Sequence, residues 1–136
     1  MTVKAKIEWK GRMQFVGQAD NSPSVTLDDS DGKTGPTPME MVLMGIAGCT
    51  AMDVISIMRK KRAEVTGFQV HIAGERAEDH PKRYTKISIE FVIEGKSLSP
   101  KDVERSIELS ATRYCSAIAS VSAPVETSYR IVDKDG

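Results

Sequence analysis

A chain of 136 residues has the length of a single domain, 1–136, large enough for a hydrophobic core but marginal if it must cover that core alone. Its 19 basic and 19 acidic side chains cancel, which removes the electrostatic footprint of a nucleic-acid or anionic-membrane binder. Two cysteines are too few for a disulfide-stapled secreted scaffold, and in a reducing compartment a pair of thiols is either inert core or redox chemistry.

The N-terminal VKAKIEW alternates Val3, Ala5, Ile7 and Trp9 with Lys4, Lys6 and Glu8, which predicts a half-buried strand. The same alternation breaks any apolar run that a signal peptide would need, so a cytoplasmic, bacterial protein is expected. KGR then turns the chain into MQFVG as a hairpin partner, and SVTLDD supplies a third short strand. DSDGKTGPTP reads as a loop because it is made of turn formers. After a long central helix, FQVHI and YTKISIEFVIEG alternate again as two antiparallel strands joined by the polar AGERAEDHPKR. Ser99 as cap and Pro100 at the first helical position, followed by Val103 and Ile107 four apart, predict a second helix. A short third helix is expected near Cys115, and VETSYRIV closes the chain as a strand. The order βββ, α, ββ, α(α), β is an α+β architecture with no internal repeat.

The central segment, PMEMVLMGIAGCTAMDVISIMRKKR, is the most apolar part of the chain. Thr37 is a good N-cap, Pro38 sits where its missing N–H costs nothing, and Glu40 completes a T-x-x-E capping box. Lys60, Lys61 and Arg62 place positive charge at the opposite end, where it complements the helix dipole. Between them, apolar residues from Met41 to Met58 point to every face, more than one small sheet can cover. Glu40 and Asp53, with the glycines and alanines, argue against a membrane span. Burial all round is expected, with a second copy of the chain as the natural cover. Gly45, Ala47, Gly48 and Ala51 remove bulk around Cys49 and allow another backbone to approach.

Cys49 lies about three turns into this helix, and Cys115 stands beside the turn between the C-terminal helices. Free cysteines commonly behave as small buried hydrophobes. A peroxide-reducing thiol needs more: a thiolate, a cation to hold it ionised, and a second thiol to resolve its sulfenic acid. TPMEMVLMGIAGCTAMDV followed by ATRYCSAIASV closely resembles the OsmC/Ohr family of osmotically inducible and organic-hydroperoxide-resistance proteins, in particular its small YhfA-like subgroup. The resemblance spans essentially the whole chain. It implies an intertwined homodimer in which two long central helices pack back to back between antiparallel sheets, with thiol sites at the subunit interface. It also implies that Cys49 is the peroxidatic thiol, that Cys115 resolves it, that the substrate is an organic hydroperoxide, and that an external dithiol restores both.

Two further family residues transfer less directly. Where active members carry a catalytic glutamate immediately after the helix-starting proline, this chain has Met39, and Glu40 comes one position later. At about 100° per residue, Glu40 is turned nearly opposite to Cys49, and it already serves the capping box. Arg12 at the KGR turn matches one placement of the family's thiolate-stabilising arginine, Lys33 stands near another, and Arg113 is a third cation near Cys115. The candidate catalytic set is therefore Cys49, Cys115, Glu40 and Arg12. Asp53, one turn after Cys49, would oppose thiolate formation unless a cation answered it. His71 and His80 have no ligand spacing around them, and DDSDGKTG lacks the closing residues of a calcium or phosphate loop, so no metal and no cofactor are expected. The alternative function is a dimer of the same fold that binds a small hydrophobic molecule at its interface and has lost the peroxidase step. The substitution of Met39 for the expected acid favours it.

Overall fold

Gly11 and Arg12 take left-handed backbone, φ 114° and 48°, and so close a hairpin between β1 (Ala5–Gly11) and β2 (Gln14–Ala19). The computed structural model describes residues 1–134 of the chain, in two compact units, Met1–Val42 and Leu43 onward. In the first unit β2 pairs antiparallel with β1 and with β3 (Val25–Leu27), giving the order β1-β2-β3. β1 starts and ends two residues later than its alternation predicts, because pairing with β2 carries it into the turn and leaves Val3 outside. Its expected half-burial is not met within one chain: Ile7 and Trp9 are 56% and 64% exposed. Alternation marks a face that wants cover without saying which molecule supplies it.

The long helix α1 runs Pro38–Lys60. Its start is the expected capping box, with Thr37 N–H donating to Glu40 Oε1 (2.8 Å) and Glu40 N–H to Thr37 Oγ1 (3.2 Å). Its end is a Schellman turn: Arg62 is left-handed at φ 57°, Ala63 N–H returns to Met58 O (3.1 Å) and Arg62 N–H to Arg59 O (2.9 Å). By length and composition α1 could cross a membrane, with a mean hydropathy of 1.9 over its most apolar window. Its side chains are sorted, however. The chain buries one stripe of α1, Ile46, Thr50, Val54 and Met58, at a strict four-residue spacing. The expected burial all round is thus only partly supplied by the chain itself, and Met44 and Met52 are 48% and 73% exposed.

In the second unit β5 (Tyr84–Lys96) lies between β4 (Glu64–Arg76) and β6 (Val125–Asp133). β4 and β5 form the predicted antiparallel pair. β6 joins β5 in parallel, so this sheet is mixed rather than wholly antiparallel. The segment between them is long enough, and helical enough, to carry the chain back to the same end of the sheet, as a parallel pair requires. β5 is the spine of the core: Ile87, Ile89, Phe91 and Ile93 are almost wholly buried, and Phe91 stacks on Phe68 of β4 with centroids 6.3 Å apart.

Helix α2 (Pro100–Leu109) begins as expected, with Ser99 Oγ accepting from Asp102 N–H (3.3 Å). Val103, Ser106 and Ile107 are its buried residues, and Ser106 Oγ lies 3.3 Å from Met58 Sδ on the buried stripe of α1. A π-helical turn, Ser110–Tyr114, follows, and then the short α3 (Ser116–Ala119), whose N-cap is Cys115.

Candidate functional site: a thiol pair with an aspartate

The π turn decides where Cys115 goes. Its five-residue step, closed by Cys115 N–H to Ser110 O at 2.8 Å, places Ser110 and Cys115 against α1. Thr50 and Ser110 hydroxyls meet at 2.7 Å, and Ser110 Oγ donates to Asp53 Oδ2 at 2.9 Å. Ser110 has one proton and gives it to the carboxylate, so Thr50 is the donor to Ser110. This short relay fastens the end of α2 to α1.

Cys49 and Asp53 stand on one face of α1, four residues apart, at the edge of the buried stripe. The Sγ of Cys49, the Sγ of Cys115 and a carboxylate oxygen of Asp53 all lie within 4.8 Å of one another. Both cysteines are free. Cys49 is half-buried and Cys115 is 4% exposed. Burial pushes the Cys115 thiol up from its ordinary value, the Ile118 N–H (3.4 Å from its sulfur) pulls it back, and the neighbouring Cys49 raises it again. Of the two sulfurs, the accessible one is therefore Cys49, and Cys115 waits behind it largely as a thiol.

Arg12 and Glu40 belong to the first unit, and each is committed to partners inside it. Arg12 Nη2 bonds Asp28 Oδ1 and Asp29 Oδ1, both at 2.6 Å, and Nη1 reaches Asp29 Oδ2 at 3.1 Å. The loop DDSDGKTG is thus an arginine-bound structure. Thr34 Oγ1 donates to Asp28 Oδ2, and Asp29 accepts from the N–H groups of Asp31 and Gly32. Asp28 is held below the usual carboxylate range chiefly by the Thr34 hydroxyl, and Asp29 chiefly by Arg12. Glu40 is the capping-box acid. Lys33 adopts φ 58° in the acidic loop, and Arg113 is exposed with its guanidinium 5.6 Å from the Tyr114 ring centroid. His71 and His80 are exposed.

A depressed folded-state pKa stabilises the fold above the unfolded value and loses that contribution as pH falls through the folded one. Asp28→Asn is therefore expected to lower the melting temperature at pH 7. The gap from the parent protein should begin to narrow below about pH 4, where the unfolded chain takes up protons that the folded Asp28 carboxylate still refuses. Thermal melts of the two proteins at both pH values check this, and a constant gap would show that the charge on Asp28 is not what holds the loop.

Thr50 and Ser110 escaped the sequence reading. Nothing local announces the π turn that aims Ser110 at Thr50.

The profile described as OsmC-like protein matches residues 29–130. The protein YhfA of Escherichia coli K12 is 35% identical over 132 residues, covering 96% of this chain and 98% of that one. Among solved structures, a hypothetical protein from Aquifex aeolicus superposes with a TM-score of 0.89 at 28% identity, covering 99% of both chains. The organic hydroperoxide resistance protein OhrB of Bacillus subtilis superposes with a TM-score of 0.61 at 15% identity, over 97% of this chain and 98% of that one, and so shares the fold. The two sheets and the long helix, the profile match over most of the chain and a near full-length relative agree: the chain belongs to the OsmC-like protein family.

Proposed function

We propose that the protein is a cytoplasmic thiol-dependent reductase of organic hydroperoxides. The observation that carries this is the pair of free thiols, one accessible and one buried, with sulfurs within 4.8 Å. The Cys49 thiolate attacks the peroxide, the O–O bond breaks, and with one proton the products are an alcohol and a Cys49 sulfenic acid. The Cys115 thiol then attacks that sulfur, water leaves, and a disulfide forms. Closing the bond to its length of about 2.05 Å needs a movement of less than about 3 Å. An external dithiol returns both cysteines to the reduced state. The substrate class rests on the apolar sequence of α1 on either side of Cys49, which suits an alkyl rather than an aqueous peroxide.

Pre-reduced protein is expected to consume an organic hydroperoxide with loss of both thiols per chain, read by free-thiol titration. Unchanged thiols under excess peroxide would sink the reading.

A second reading is favoured by two observations. Met39 stands where an acid is expected, and Arg12 is already neutralised by two aspartates. On that reading the protein keeps the fold and binds a small hydrophobic molecule without reducing peroxides.

Both readings share a homodimer built on α1. Its exposed Met44 and Met52 flank Gly45 and Gly48, where a side chain would meet nothing within 4 Å. A second α1 would fill that space and remove the exposed methionines from water. Light scattering at micromolar concentration is expected to give twice the chain mass of 14.9 kDa, and a stable monomer would remove the interface from both readings.

A further inference from the structure

We infer that Cys49, Asp53 and Cys115 form a binding site for a thiophilic divalent cation, with Zn²⁺ as the fitting ion. Cys49 and Asp53 are four residues apart on α1, the spacing that lets two side chains of one helix bind the same metal. Cys115 supplies the third donor from the N-cap of α3. A tetrahedral zinc with Zn–S near 2.3 Å and Zn–O near 2.1 Å sets its donors roughly 3.5–3.8 Å apart. The three donor atoms here lie within 4.8 Å of one another, so no pair needs to close by more than about 1.3 Å.

The surroundings fit a ligand set. Ser110 Oγ donates to Asp53 Oδ2, orienting the carboxylate as an outer-shell donor does and leaving Oδ1 for the ion. Thr50 in turn fixes Ser110. Asp53 takes no part in the ion pairs formed among the described residues, so within one chain no side-chain cation pairs with its charge beside the two sulfurs. A divalent ion supplies that charge. Two sulfurs select a thiophilic metal, and the carboxylate favours Zn²⁺ over Cu(I), which prefers an all-soft set. Three protein donors leave the fourth position for water or a small anion.

Binding requires only the reduced thiols and Asp53, and is independent of the proposed reductase activity. Its release by peroxide does rest on that activity. Two electrons pass from the two sulfurs to the hydroperoxide, an S–S bond replaces the metal–sulfur bonds, and two protons from solvent complete an alcohol and a water. The cation leaves because a disulfide is no ligand. Zn²⁺ in the site would conversely shield both thiols from oxidation.

The test is Co²⁺ titration of untagged, reduced protein, followed by Zn²⁺ displacement. Expected are the sulfur-to-cobalt charge-transfer bands and intense visible bands of a tetrahedral thiolate site, saturating at one ion per chain. Cys49→Ser and Cys115→Ser should abolish the charge-transfer intensity or halve it. Asp53→Asn, which still accepts the Ser110 hydrogen bond, should weaken binding by more than about tenfold, and Ser110→Ala by about tenfold. Circular dichroism confirms that each variant is folded, and either of the last two suffices if the other is not. Absence of the bands, or unchanged affinity in a folded Asp53→Asn or Ser110→Ala protein, overturns the site. Hydroperoxide consumption by the metal-free protein is measured alongside. Cobalt bands without peroxide consumption would sink the reductase and keep the site, and the reverse result would do the opposite.

Discussion

Cys49→Ser is expected to abolish hydroperoxide consumption and leave Cys115 unreacted, whereas Cys115→Ser is expected to leave the first oxidation step intact. The asymmetry follows from placement. Cys49 is half-buried on α1, where a substrate can approach, and Cys115 is buried, with a thiol that burial holds protonated. In Cys115→Ser the sulfenic acid formed at Cys49 has no partner thiol and should advance to sulfinic acid with excess peroxide. The parent protein should instead stop at one intramolecular disulfide. Intact-protein mass spectrometry separates these products, a loss of two hydrogens against a gain of oxygens. If both single variants lose their remaining thiol at the same rate, the cysteines are a passive pair, and binding of a hydrophobic molecule becomes the better account of the fold.

Phe91→Ala is expected to be the most damaging single substitution for stability, lowering it by about 3–5 kcal/mol. Phe91 is wholly buried at the middle of β5, paired with Val70 on one side and Tyr129 on the other, and its ring lies nearly parallel to that of Phe68. Truncation leaves a void that strands bonded on both edges cannot collapse to fill. For a chain of this size the melting temperature should fall by roughly 10–20 °C. Phe91→Leu, which returns most of the volume, should recover more than half of that loss. A fall of only a few degrees in the alanine variant would mean that the sheet repacks around the gap.

Local chemistry made much of the fold readable. A cap is a local device, so Thr37 with Glu40, and Ser99 followed by Pro100, announced the starts of α1 and α2. The β1–β2 and β4–β5 pairs were equally legible, because alternation and a short connection define an antiparallel neighbour. The direction of β6 was not, since its alternation reads the same whether it runs with β5 or against it, and only the path through α2 and α3 settles the matter.

The site divides in the same way. Residue identity and the family resemblance singled out Cys49 and Cys115, and helix periodicity set Asp53 one turn from Cys49. That the second sulfur reaches the first across sixty-six positions was decided by a π turn and by the hydrogen bonds its Ser110 makes to Thr50 and Asp53 of α1, and side-chain contacts between distant segments leave no periodic mark on a sequence. The use of Arg12 was likewise a tertiary outcome. A basic residue in a turn can answer any nearby negative charge, and the loop that folds back on it brings Asp28 and Asp29 within hydrogen-bonding distance. The sequence by itself determined which segments form helices and strands and which side chains carry sulfur and charge, because those depend on neighbours along the chain. Tertiary structure alone decided which thiol is shielded and which carboxylates hold the arginine, because burial and charge pairing are properties of contacts between segments that the chain keeps far apart.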